Sequence, residues 1–271
     1  MLKFSMMSLC LSESLTAKQV VKEAAELGLK GIDWTSAAFR GDSPEFLKKI
    51  SEDAGLKVVC YIPFLTKLSR KENGGFDELK WELDRAVGVG ADKILVPTMP
   101  IPGLLDRREI QKRWLEVLGC AAEECAPRNL ILTVENFPGE LSPVVTAEDF
   151  FLFQRQIPSL RLTFDAGNAF TGEDPVESFR KTFRFIIHMH FKDFQVRDSE
   201  APGFWRGLDG RWYHPALIGK GAFDHTRMIR AVEESGYSGW INIEYEANDL
   251  PRMTGIRLAF EFLKQNSLQF K

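Results

Sequence analysis

The chain predicts a single-domain α/β protein, a closed (β/α)8 TIM barrel spanning residues 1–271. Three observations carry that expectation. Eight short apolar runs alternate with helical patterns, which is how a parallel sheet covered by helices reads in sequence. The length of 271 residues suits one barrel of about 250 residues. Residues 8–16, after the first run, contain no glycine, whereas an open doubly wound sheet more often carries a glycine-rich phosphate loop there. No linker, low-complexity tract or domain boundary interrupts the pattern.

The strands are expected at residues 3–9, 31–34, 57–62, 93–97, 130–135, 160–165, 186–191 and 240–244, each an apolar run bounded by breakers. Helices are expected between them. Thr16 is a candidate N-cap, Ser43-Pro44 joins a cap to a first-turn proline, and Thr146 precedes the acidic Glu148 and Asp149. Gly28, Gly55, Gly90 and Gly236 each close a helical pattern shortly before an apolar run.

Composition narrows the function classes. A hydrophobic content of 44% with 27% charged residues is that of a globular chain with a large core. A net charge of −3 supplies no basic face, so no nucleic-acid partner is expected. No apolar stretch approaches the roughly 18 residues of a spanning helix, so no membrane partner is expected either. The N-terminus reads as a strand, and Leu9 is not the small residue that a lipoprotein cleavage site before Cys10 needs. Cys10, Cys60, Cys120 and Cys125 have neither zinc-knuckle pairing nor the density of a secreted scaffold. A reducing cytoplasm is the expected location.

Four runs stop at or near a group with acid–base or metal-binding chemistry: Glu135, Asp165, His190 and Glu244. The side-chain period of a strand is two, so Glu135 shares its face with Thr133 and Ile131, His190 with His188 and Lys192, and Glu244 with Asn242. Glu135 and Asp165 are 30 residues apart and Asp165 and His190 are 25, close to the roughly 30 residues of one β/α unit. Consecutive strands are therefore expected to carry them. The 54 residues from His190 to Glu244 exceed one unit, and the excess lies in the Gly- and Pro-rich residues 194–222. This insertion is expected on the C-terminal rim, where active sites of this fold occur. It reads either as a lid with Phe204, Trp205, Trp212 and Tyr213 excluding water or as a packed surface loop.

Further motifs sit around these residues: Glu135-Asn136, Asp165-x-Gly-Asn168, His190-x-Lys192-Asp193, Gly219-x-Gly-x-x-Asp224, and Gly236-Tyr-x-Gly-Trp-Ile-x-Ile-Glu244. Their order and strand positions resemble the xylose-isomerase-like sugar isomerases and epimerases, including the tagatose 3-epimerase, hydroxypyruvate isomerase and inosose dehydratase branches. The resemblance spans nearly the whole chain, with its motifs in the second half. It implies one divalent metal held by Glu135, Asp165, His190 and Glu244, with Glu135 and Glu244 as the catalytic acid and base. Three carboxylates and an imidazole form a hard donor set, so Mn²⁺ is the expected ion, with Mg²⁺ or Co²⁺ as alternatives and Zn²⁺ also allowed. The competing structural reading of the four is an ion-pair network at the rim.

The implied activity is isomerisation or epimerisation of a ketose or small sugar acid by proton transfer through a metal-stabilised enediolate. The alternatives are a dehydratase of the inosose dehydratase type, an endonuclease-like phosphodiesterase, and a non-catalytic sugar-binding barrel. The phosphodiesterase would need a histidine-rich multinuclear cluster, and the chain has only His188, His190, His214 and His225. Candidate substrate contacts are Asn168, His188, Lys192, Arg197 and Trp34. Asn168 stands where some relatives carry a histidine, and an amide hydrogen-bonds a hydroxyl without titrating near neutrality. Each of the others has a structural alternative: a satisfied core group for His188, a rim salt bridge for Lys192, a solvated surface for Arg197 and core packing for Trp34. The expected partner is a small-molecule sugar. Relatives often form dimers or tetramers, so a homo-oligomer is left open, although residues 107–116 mix both charges without defining an interface.

Overall fold

The computed structural model describes residues 2–12, 14–38 and 41–267. Eight parallel strands close into a barrel in the spatial order β1-β11-β7-β6-β5-β4-β3-β2. They are β1 (Lys3–Met7), β2 (Gly31–Thr35), β3 (Lys57–Ile62), β4 (Lys93–Val96), β5 (Ile131–Glu135), β6 (Arg161–Asp165), β7 (Ile186–Phe191) and β11 (Trp240–Ile243). Ser5 pairs with Gly31 on one side and Asn242 on the other, which closes the sheet.

The outer helical layer forms where local chemistry permits. Helix α2 (Ala17–Glu26) starts at a reciprocal capping box between Thr16 and Gln19, and α7 (Ala147–Gln154) at one between Thr146 and Asp149. Ser43 Oγ accepts from the Phe46 N–H, and Pro44 opens α3 (Pro44–Asp53). The chain leaves α2 through Gly28 at φ +87°, a left-handed conformation that costs glycine little. Alternate strand residues, Ile32 and Trp34, Leu132 and Val134, Leu162 and Phe164, Met189 and Phe191, face outward into one buried core. Each fully buried side chain of this kind contributes about 1.5–3 kcal/mol.

Six of the eight strands differ from expectation by one or two residues at one end, and two of these differences have a clear local cause. The first strand ends at Met7, and Leu9–Ser12 forms a helical turn, α1. Ser8 diverts the chain, donating its N–H to Asp33 O (2.9 Å) while its Oγ accepts the Thr35 N–H (3.0 Å). The fourth strand stops at Val96, before Pro97, which has no N–H to donate.

The long insertion is an ordered three-stranded antiparallel sheet of β8 (Asp193–Arg197), β9 (Trp205–Arg206) and β10 (Trp212–Ala216). Trp205 stacks on Tyr213 (5.3 Å), and buried Tyr213 meets Phe194 and Phe170 edge-on. Phe204 stacks on His214 (5.2 Å). These aromatics pack the hairpin together and onto the barrel, as the packed-loop reading requires. At its base, the Asp193 carboxylate accepts backbone N–H groups from Phe194, Gly219, Gly221 and Phe223. A Cβ on Gly221 would overlap that carboxylate, which explains the Gly-x-Gly spacing.

Candidate functional site

The barrel interior is divided. Cys60, Ile62 and Leu95 from β3 and β4, with Met7 against them, form a small apolar cluster separate from the main core. Opposite, Glu135 (β5), Asp165 (β6), His190 (β7) and Glu244 (just past β11) stand on four consecutive strands. Each ends within 3% of full burial. One donor atom from each lies within 4.8 Å of the others. His190 Nδ1 is 3.0 Å from Glu135 Oε1 and 2.5 Å from Glu244 Oε1.

Neighbouring residues hold this arrangement. The Asn136 side chain donates Nδ2 to Asp165 O (2.7 Å) and accepts the Asp165 N–H (2.9 Å), extending the ladder between β5 and β6 by one rung. Asp165 Oδ1 caps the short helix α8 (Ala166–Ala169) by accepting the Asn168 N–H at 2.7 Å. Gly167 lies against Lys192 O, where a Cβ would come to 2.6 Å. Below the rim, the Thr133 and Thr163 hydroxyls meet at 2.7 Å.

The electrostatics are those of a crowded anionic site. Lys192 Nζ is 2.5 Å from Glu244 Oε2, 3.3 Å from Glu246 Oε1 and 3.5 Å from Asp165 Oδ2. Burial would raise the Glu244 carboxyl, but Lys192 and His190 outweigh it and hold it down to about 2. Burial raises Asp165 well above the usual carboxylate range despite Lys192, with Glu135 and Glu244 adding to the rise. Burial opposes charge on His190 and Lys192, yet the surrounding carboxylates raise both well above their ordinary values.

This donor set fits a divalent cation. Asp165 Oδ2 and Glu244 Oε1 are buried without a well-formed hydrogen bond among the described residues, and their only positive neighbours there are Lys192 Nζ at 3.5 Å and His190 Nδ1 at 2.5 Å, too few for three carboxylates. Anionic oxygens in that condition are costly unless a cation compensates them. The chemistry is also right, with hard oxygens and one imidazole converging from four strands.

The other sequence candidates divide. His188 is fully buried in the barrel, with Nε2 2.5 Å from Asp33 Oδ2. Asn168 is buried with both side-chain amide atoms unpartnered among the described residues. Lys192 joins the four-residue group directly. Trp34 does not line the interior. Asp33 faces inward, so its neighbour faces out, and Trp34 Nε1 donates to Ser51 Oγ on α3 at 3.1 Å. Arg197 is exposed at the end of β8, its guanidinium 4.9 Å over the Phe204 ring, because the hairpin carries it away from the barrel axis.

Sequence reasoning missed Asp33 and Glu246. Glu246 has the parity of Glu244, a signal that was present, whereas nothing local marks Asp33 as inward-facing. Beside Glu244 opens a cavity of about 280 Å³, lined by Met7, Leu9, Cys10, Pro215, Glu246 and Arg252 among others. Pro215 is the insertion's contribution to that wall.

A parallel eight-stranded barrel with a buried cluster of metal-type donors at its C-terminal rim defines an α/β-barrel protein with a candidate cation site. The chain belongs to the xylose isomerase-like TIM barrel family, whose model matches residues 21–266. The inosose dehydratase of Lacticaseibacillus casei is 24% identical over 257 residues, 87% of this chain and 84% of that protein. The IolI protein, solved with a zinc atom, has a TM-score of 0.80 at 16% identity, covering 100% of this chain and 99% of that one. The 3-keto-D-glucoside 4-epimerase YcjR from E. coli, in its apo form, has a TM-score of 0.75 at 13% identity, covering 98% and 100%. No helix among the described residues is long and apolar enough to cross a membrane.

Proposed function

We propose that this protein is a divalent-metal-dependent isomerase or epimerase of a ketose or small sugar acid, moving a proton at the carbon next to the carbonyl. The observation that carries the reading is the convergence of one donor atom each from Glu135, Asp165, His190 and Glu244 within 4.8 Å. A cation held by these four side chains would polarise the substrate carbonyl and acidify the adjacent C–H, with Mn²⁺, Mg²⁺ or Co²⁺ suited to the oxygens and Zn²⁺ compatible.

The chain's own groups supply the rest. Glu244 and Glu135 stand at the two ends of the four-strand arc, with His190 and Asp165 between them. A substrate seated over the arc therefore meets one carboxylate from each end, one to take the proton and the other to return it. Lys192, now 2.5 Å from Glu244 Oε2, would donate a hydrogen bond from Nζ to the substrate oxygen that gains negative charge. Asn168, buried and unpartnered on both amide atoms, would hold a hydroxyl.

A second reading is a dehydratase acting on a cyclic keto-polyol. It is favoured by the inosose dehydratase relative, with Lys192 Nζ as the proton donor beside Glu244 and Asp165. Here a glutamate takes the C–H proton, the C–O bond β to the carbonyl breaks, and the Lys192 proton leaves with the hydroxyl as water.

The test is incubation with Mn²⁺ and a panel of ketoses and cyclic keto-polyols in D₂O, with a chelated control, read by NMR. Metal-dependent deuterium at C3 supports a 3-epimerase and at C1 or C2 an isomerase. Loss of water from substrate moves the assignment to the dehydratase. Neither in any substrate rejects both.

A further inference from the structure

We infer that Asp33 is a positioning residue for this centre, orienting His190 so that Nδ1 faces the three carboxylates. The inference rests on the metal reading above. Asp33 is fully buried on β2, and its two oxygens have different work. Oδ1 accepts from Ser5 Oγ at 3.1 Å, and Ser5 Oγ in turn accepts from Asn242 Nδ2 at 3.3 Å. Oδ2 lies 2.5 Å from His188 Nε2 and 3.5 Å from His190 Nε2.

The carboxylate thus reaches the nitrogen of His190 opposite the one that faces Glu135 and Glu244. The two imidazoles stand perpendicular, with centroids 4.9 Å apart. Asp33 therefore acts on His190 in two ways: its charge faces Nε2 at 3.5 Å, without a hydrogen bond, and its bond to His188 pins the ring against which His190 packs. A neutral imidazole has one protonated nitrogen and one lone pair, and a partner at one nitrogen selects which. The Asp33 charge beside Nε2 favours the proton there and leaves the Nδ1 lone pair for a cation. Such outer partners of a ligating histidine typically change metal affinity by 10- to 100-fold.

Asp33, His188 and His190 also form a compact donor group of their own. Used as a second metal site, it would take His190 Nε2 away from the positioning role, so stoichiometry separates the two.

The experiment titrates Mn²⁺ by EPR into the wild-type chain, Asp33→Asn and Ser5→Ala, with thermal melts of each. Histidine ¹⁵N shifts are read on the Zn²⁺-loaded proteins. The expected result is one Mn²⁺ per wild-type chain, affinity about 10- to 100-fold weaker in Asp33→Asn, and a smaller loss in Ser5→Ala at an unchanged melting temperature. The His190 proton is expected on Nε2 in the wild type and redistributed in Asp33→Asn. Wild-type affinity and ¹⁵N shifts in Asp33→Asn overturn the inference, as does a second Mn²⁺ that the variant loses. Should Asp33→Asn not fold, unaltered affinity in Ser5→Ala overturns it. A wild-type chain that binds no Mn²⁺ overturns the metal reading itself, an outcome distinct from equal binding by wild type and variant.

Discussion

Lys192 Nζ lies 2.5 Å from Glu244 Oε2, and the pair is buried. One ammonium thus compensates part of a carboxylate cluster that a cation would also compensate. Lys192→Met should destabilise the metal-free protein by about 3–5 kcal/mol, the usual cost of breaking a buried pair. Saturating Mn²⁺ should then raise the melting temperature more in the variant than in the wild type, because binding restores the missing positive charge. Equal Mn²⁺ shifts in the two proteins would separate Lys192 from the cation site.

Glu244→Gln keeps an oxygen near His190 Nδ1 but removes the proton acceptor. Some Mn²⁺ binding should persist while turnover falls by about 10²- to 10⁴-fold, measured as metal-dependent deuterium incorporation beside Mn²⁺ affinity. Turnover at the wild-type rate would exclude the two-glutamate mechanism.

Gly221→Ala tests the turn that returns the insertion to the barrel. Its Cβ would overlap the Asp193 carboxylate and come to 2.5 Å from Phe194 O. The expected cost is about 1–3 kcal/mol in urea unfolding. A variant as stable as wild type would show that the Asp193 cage yields freely.

Trp34→Phe distinguishes the outward position from a substrate-facing one. The variant loses the Nε1 bond to Ser51 and leaves a void against α3, so stability should fall by about 1–3 kcal/mol. KM should not change, and a selective rise in KM would place Trp34 in the substrate's path.

Glu82, in α5 (Gly75–Gly88), supplies a pH signature remote from the metal-type donors. Burial raises its carboxyl, and the Tyr61 hydroxyl and Arg85 only partly offset that. With its folded pKa above the unfolded value, the ionised form costs stability. That cost is absent below the unfolded pKa of about 4.3 and complete above the folded one, so stability from this group is lost as pH rises. Glu82→Gln should therefore gain on the wild type between pH 4 and pH 7 in paired urea melts. A pH-independent difference would mean that Glu82 titrates normally.

The barrel, the strand bounds to within two residues, and the position of Glu135, Asp165, His190 and Glu244 at or just past strand ends were legible in the sequence. These are local properties: a period of two, an apolar run ending at a charge, a cap or glycine at each helix end. Thr16, Ser43 and Thr146 cap their helices as their neighbours dictate. The hairpin was not legible, because an antiparallel pairing between Asp193 and Ala216 depends on contacts that glycine and proline content conceals.

Which face of each strand points inward depends on barrel closure. Asp33 and Trp34 are adjacent, and parity alone permits either to enter the barrel. Closure settles the choice by setting Asp33 against His188, 155 residues away in the chain, while Trp34 takes a place under α3. A buried carboxylate needs partners that an indole does not, and those partners come from strands brought together only when the sheet closes.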